Sequence, residues 1–227
     1  VNSKTFLEVS SYELNSVLEN RGLQAGSYAL FLSRITPAKG VVDLIEGFSR
    51  SEARHRVKLV VAGTGVGRDE AMARAAASAC AEQIVFFDDV DDDEKRVLMA
   101  GSAAYVLASK PMPEFVETFG IALVEKMLAG GGPVITTPTG GIPEAVGDTA
   151  LLVTPGSADE IAAALDEAIV RMDRAHLVTR ARRARDYAMQ FDRLAIFDRL
   201  FDGLGPLAHP ASTSQPTHAS IPPLVAA

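Results

Sequence analysis

Glu117 and Glu125 are the residues whose type and spacing most directly suggest chemistry. They lie eight positions apart around Phe119-Gly120-Ile121, after a polar stretch, Ser109-Lys110-Pro111, and before an apolar helical pattern. A helix beginning near Gly120 or Ile121 leaves Glu117 in the loop facing its N-terminus and Glu125 one turn inside. Both carboxylates then converge where free backbone N–H groups and the helix dipole favour an anion. Carboxylates accept hydrogen bonds from hydroxyls and amides hold phosphate oxygens, so the arrangement suits a molecule that is part polyol and part phosphate. Arg34 and Lys39, within Ser33-Arg34-Ile35-Thr36-Pro37-Ala38-Lys39-Gly40, bring two cations to another helix start, a setting for a diphosphate.

These loops need a scaffold. Short apolar runs at 29–33, 57–62, 84–87, 104–107, 133–136 and 150–153 alternate with amphipathic stretches at 41–48, 68–80, 92–100, 121–128 and 143–146. Unbroken β-branched runs alternating with helices predict a parallel sheet covered on both faces, a doubly wound Rossmann-like α/β domain of six strands. With strand order 3-2-1-4-5-6, ligands bind where the winding reverses, beyond the carboxyl ends of strands 1 and 4. The Arg34–Lys39 loop and the two-glutamate loop follow those strands. Residues 1–27 read as a linker and lead-in helix, with capping-box spacing at Ser10 to Glu13 and Gly22 as its stop. The expected domain covers 28–156, C-terminal helices cover 157–204, and the Pro-rich tail at 205–227 is expected to be disordered.

Other features limit the function. A net charge of −7 and a pI near 5.1 argue against a nucleic-acid partner. There is one cysteine, Cys80, placed on the Ala-rich helix and read as a small core residue; a reducing, cytoplasmic location is expected. No apolar run is long enough to span a membrane. Gly63-Thr64-Gly65-Val66-Gly67 breaks the dinucleotide-binding spacing, because Arg stands at 68. Gly140-Gly141 before Pro143-Glu144 either admits a close ligand or makes a turn before a helix. The acidic run Asp88 to Glu94 is a metal candidate, but capping of a helix start is the preferred reading. The late arginines, from Arg171 through Arg185, read as a solvated face, and the histidines form no ligand spacing.

Ser33-Arg34 with Lys39-Gly40, the Glu117–Glu125 pair around Phe119-Gly120, and Pro133-Val134-Ile135 leading to Gly140-Gly141 and Pro143-Glu144 resemble the C-terminal half of a family 4 retaining glycosyltransferase of GT-B fold. More narrowly, the run from Pro113 to Val134 is similar to the 2-deoxystreptamine glycosyltransferases of aminoglycoside antibiotic pathways. The resemblance implies that Arg34 and Lys39 hold the donor diphosphate, with Glu125 on the ribose hydroxyls. It also implies that Glu117 meets the transferred sugar, that backbone around Phe119, Gly120 and Ile121 completes the cradle, and that Phe87 to Val90 bracket the base. Lys126 stands where many members carry Ala, which leaves the packing of that helix open.

The implied reaction transfers a hexose or N-acetylhexosamine, glucose or N-acetylglucosamine from a UDP-sugar, with retention to an acceptor hydroxyl such as that of an aminocyclitol. No metal or other cofactor is required. An acceptor-binding N-terminal domain is expected to be missing, so the isolated chain should not turn over. Two alternatives share the donor half: a non-catalytic nucleotide-sugar binding module, and a GT-B-like nucleotide-sugar epimerase.

Overall fold

The computed structural model describes residues 1–204. The expected tail at 205–227 lies outside the described residues. Two lead-in helices, α1 (Ser3–Leu7) and α2 (Ser11–Asn20), precede the sheet. The sheet then builds as β1 (Tyr28–Leu32), α3 (Val41–Arg50), β2 (Lys58–Ala62), α4 (Arg68–Ala76), β3 (Ile84–Phe87), α5 (Asp92–Gly101) and β4 (Ala104–Leu107). It continues through α6 (Ile121–Ala129), β5 (Val134–Thr136), α7 (Ile142–Val146) and β6 (Leu151–Leu152). Helices α8 (Ala158–Asp166), α9 (Arg174–Ala188) and α10 (Arg193–Leu204) close the described chain.

All strands are parallel, in the order β3-β2-β1-β4-β5-β6, so the winding reverses between β1 and β4 as expected. The central strands are apolar on both faces because helices cover both. Ala29, Leu30 and Phe31 of β1, Leu59 to Val61 of β2 and Ala104 to Val106 of β4 are completely buried. Each large side chain among them stabilises the sheet by roughly 1.5–3 kcal/mol. On the α3–α8 side, Gly47 allows close approach: a Cβ there would sit 2.8 Å from Ala158 O and Ile161 Cγ2.

The helix stops and starts have local causes. Ser10 Oγ accepts from Glu13 N at the head of α2. Gly22, at φ 64°, ends that helix with Leu23 N bonded to Leu18 O and Gly22 N to Glu19 O. Ser157, rather than Asp159, caps α8 by accepting from Glu160 N.

Four expectations on the elements change. The helix expected over 68–80 stops at Ala76, where Ser78 Oγ and Ser78 N both bond Ala75 O and so compete with helical propagation. Cys80 is therefore not on the helix, although it is buried. The first of the C-terminal helices expected over 157–204 is α-helical only to Asp166 and widens into a π-helical turn, Glu167–Arg171. Helix α9, the second of these, begins at Arg174 because Asp173 caps it through His176 N. Helix α1 was not anticipated; its short apolar signal gains its stability from tertiary contact, with Phe6 buried where α1 meets α6.

Candidate functional site

The loops after β1 and β4 are tied to one another at the switch point. Pro37–Lys39 forms a 3-10 turn ending in Gly40 at φ 72°, where a Cβ would lie 2.1 Å from Ala108 O. Lys110 N donates to Ala38 O at 2.9 Å, and Lys110 Nζ pairs with Asp43 at 2.7 Å. The β1 loop is also locked to the β2 loop, since Ile35 N donates to Thr64 O and a Cβ on Gly65 would meet Ile35 O at 2.4 Å. The glycines of 63–67 therefore serve loop-to-loop packing.

This framework brings Lys39 and Glu117 into direct contact: Lys39 Nζ pairs with Glu117 Oε2, and both side chains are about nine-tenths buried, at 10% and 12% exposure. Ser109 Oγ lies 3.4 Å from the same carboxylate oxygen. The turn closed by the Met112–Phe115 hydrogen bonds places the Phe115 ring 4.9 Å from Lys39 Nζ, a cation–π contact.

Glu125 sits on α6, and Oε2 pairs with Lys95 Nζ of α5 at 2.6 Å. Lys95, Arg34 and Val90 line one cleft of about 230 Å³ with Asp88, Thr64 and Leu32. Arg34 is exposed there and has no carboxylate within salt-bridge distance among the described residues. Between the two ion pairs stands Tyr105, fully buried, whose hydroxyl donates to Leu32 O at 2.8 Å. Burial, then the charges of Glu125 and Glu117, push its phenol well above the usual tyrosine range. Both carboxylates therefore lie near the Tyr105 hydroxyl.

Helix α6 opens at Gly120, at φ 82°, with no side-chain cap. Leu123 N already donates to Gly120 O at 2.9 Å, so the N–H groups ahead of it, those of Ile121 and Ala122, carry the positive end of the helix dipole. Ile121 is exposed beside them. The Phe119 side chain does not belong to this cradle: its ring packs edge-on against Phe191, with centroids 5.0 Å apart, so only its backbone serves the loop. The glycine pair 140–141 also has a definite task. Cβ atoms there would fall 1.9 Å from Glu117 O and Thr118 O, and Gly141 N donates to Glu117 O at 2.9 Å. The pair therefore makes the turn before α7, as the turn reading had it, and in doing so admits the protein's own glutamate-loop backbone.

The acidic run is distributed among cations. Asp91 caps α5 through Glu94 N, Asp88 pairs with Arg68, and Asp89 and Glu94 both bind Arg21. Arg21 lies 4.9 Å from the centre of the Phe87 ring, so the lead-in segment braces the β3–α5 loop. Among the described residues no three acidic, His or Cys side chains gather as metal ligands. Lys126, by contrast, is inside the protein. It is 1% exposed, donates from Nζ to Met99 O at 2.6 Å and to Gly130 O, and thereby ties the ends of α5 and α6 together.

Sequence reasoning missed Lys95, Tyr105 and Arg21. Lys95 follows a run of acids that draws attention away from it, and nothing in its spacing couples it to Glu125. Tyr105 reads as one more apolar strand residue. Of three larger concavities, two, of about 400 and 740 Å³, lie by α9 at the opposite end of the sheet, and a third, of about 560 Å³, lies between α3 and α4. None of the three contains any of the site residues above. No described helix is long and apolar enough to cross a membrane.

Comparison with known proteins identifies the family. Residues 22–184 match the family described as glycosyl transferases group 1. The chain is 27% identical over 164 residues to the O-antigen chain mannosyltransferase B of Escherichia coli, covering 71% of this chain and 42% of that protein. The structure of Anabaena Alr3699/HepE in complex with UDP-glucose superposes with a TM-score of 0.77 at 23% identity, over 90% of this chain and 55% of that one. The C-terminal domain of the group 1 family protein LpcC from Francisella tularensis superposes with a TM-score of 0.69 at 24% identity, covering 84% of this chain and 97% of that one. The chain spans 34% to 42% of the length of the curated relatives it matches. It belongs to the group 1 glycosyltransferases, as a domain of the C-terminal half of their GT-B fold.

Proposed function

We propose that residues 28–156 form the donor-binding domain of a retaining glycosyltransferase, with the helices of 157–204 as its C-terminal extension. The donor is a UDP-sugar carrying glucose or N-acetylglucosamine, and the acceptor is a hydroxyl of 2-deoxystreptamine or a similar aminocyclitol in a cytoplasmic antibiotic pathway. The observation that carries this reading is the meeting of two charge pairs at the β1/β4 switch point, Lys39 with Glu117 and Lys95 with Glu125, beside the unpaired Arg34. A diphosphate needs cations and backbone amides, and a sugar nucleotide needs carboxylates for its hydroxyls; the loops offer both within one region. The Anabaena relative was solved with UDP-glucose, which supports the donor class.

Each residue then has a task. Arg34, Lys39 and the first-turn amides of α6 stabilise the charge that develops on the departing diphosphate, so no metal is needed for that step. Glu125 holds the ribose, Glu117 the transferred sugar, and the backbone near Val90 the base. Both glutamates position rather than abstract protons. An acceptor-binding domain on another stretch of polypeptide completes the site, so the 227-residue chain binds donor weakly and does not turn over by itself.

Titration calorimetry with UDP and UDP-glucose tests the reading. Binding is expected to weaken by roughly tenfold or more in Arg34→Ala and Glu125→Ala, the scale for loss of a charge-assisted hydrogen bond. Unchanged binding in both variants removes the site from these loops.

A further inference from the structure

Lys95 is the charged side chain at the site to which the reaction proposed above gives no task. It reaches the cleft from α5, a different βα unit from the one that carries Glu125, and it lines the same wall as Arg34 and Val90. Its ammonium is held from two sides: Glu125 Oε2 at 2.6 Å, and the buried Phe6 ring with its centroid 5.6 Å away. The pair is neither a surface contact nor fully interior, at 22% exposure for Lys95 and 13% for Glu125. The next residue, Arg96, turns away to Glu13 and Asp93, so the cation at the cleft is Lys95 alone on this helix. Among the described residues no group donates a hydrogen bond to Glu125 Oε1, and the closest Lys95 contact is to Oε2. A carboxylate with one oxygen fixed and the other unclaimed is preset to accept from a diol.

We propose that Lys95 is a positioning residue of the nucleoside subsite: by fixing Oε2 of Glu125 it presents Oε1 to the ribose hydroxyls, and it thereby sets the preference for ribonucleotides over nucleotides that lack those hydroxyls. The inference rests on the donor-site reading and adds the residue that gives it sugar selectivity. Without the ammonium, Glu125 keeps its charge but loses its fixed rotamer, and ordering it again on each binding event opposes the gain from the ribose. The effect therefore falls on the ribose part of the ligand and spares the phosphates.

The test measures the affinity of the 227-residue chain for UDP and for 2′,3′-dideoxy-UDP. The unmodified chain is expected to prefer UDP by about tenfold, the scale of hydrogen bonds to a charged acceptor. Lys95→Met reduces that preference to about twofold by weakening UDP alone, and Lys95→Arg restores most of it. Should Lys95→Met melt early, the same ratio is read in Lys95→Gln, with Glu125→Gln in a double-mutant cycle in which the two losses do not add. A lysine that only braces the fold would weaken both ligands equally and leave the ratio untouched, and that result overturns the proposal. If the unmodified chain binds neither nucleotide, or Arg34→Ala binds UDP unchanged, the donor-site reading itself fails; a changed ratio in Arg34→Ala is not expected.

Discussion

At the scale of single residues, the contact between Lys39 and Glu117 sets up a competition. A diphosphate that recruits Lys39 must draw it from a carboxylate, while the sugar that follows the diphosphate needs that same carboxylate free. Glu117→Gln keeps the shape and loses the charge, so Lys39 becomes available at no electrostatic cost. UDP is expected to bind about two- to fivefold more tightly to this variant, whereas any added affinity from the sugar of UDP-glucose disappears. Calorimetry with both ligands checks it, and a parallel loss for both would mean that Glu117 faces the diphosphate instead. Lys126 shows a different use of a buried cation. Burial, with Arg185 nearby, brings its ammonium down to about 7 from 10.5. Above pH 7 the folded protein therefore holds a neutral amine, whose two hydrogens match Met99 O and Gly130 O, while the unfolded chain still binds the proton. Stability attributable to this group rises with pH between about 7 and 10, by roughly 1–2 kcal/mol over the first two units. Thermal melts at pH 6 and pH 9 should show that rise in the unmodified chain and a flatter response in Lys126→Met; equal slopes would place the proton elsewhere.

At the scale of elements, the site depends on close contact between backbones, and a single methyl group tests that. Gly141 has φ −85°, open to any residue, so Gly141→Ala acts through sterics: its Cβ would stand 1.9 Å from Thr118 O and 3.1 Å from Phe119 Cα. The glutamate loop must move, with a loss of about 1–3 kcal/mol in stability and of UDP-glucose binding together. Gly22→Ala is the control, since φ 64° makes it strained but nothing lies within 4 Å; about 1 kcal/mol of stability is lost there and nucleotide binding is kept. The sheet was legible in the sequence because each strand is a short, mostly apolar run closed by a turn; its order, 3-2-1-4-5-6, is expected by analogy with doubly wound sheets, and the fold adopts it. The two charged loops were legible because they follow β1 and β4. What stayed hidden depends on approach in space. Lys95 meets Glu125 only when α5 lies beside α6, Tyr105 brings its hydroxyl near both carboxylates only in the folded sheet, and α1 forms because Phe6 finds α6.

At the scale of the whole molecule, the described surface has one apolar face that the fold does not use. Leu194, Phe197, Leu200 and Phe201 of α10 are each more than half exposed, and the Phe197 and Phe201 rings stack with centroids 6.3 Å apart. The sequence pattern placed these side chains on one face, and the fold leaves them uncovered. The base of α10 is anchored, since Arg193 N donates to Val1 O and Asp192 accepts from Ser3 N, so the helix starts where the first residues of the chain dock. Exposed apolar area of this kind is satisfied by self-association. The 227-residue chain is therefore expected to sediment as a concentration-dependent mixture, and Phe197→Glu with Leu200→Glu to shift it to monomer. Because neither side chain contributes to the core, the melting temperature should change by no more than about 2 °C. A large fall in melting temperature would instead show that α10 folds back and buries this face within the chain.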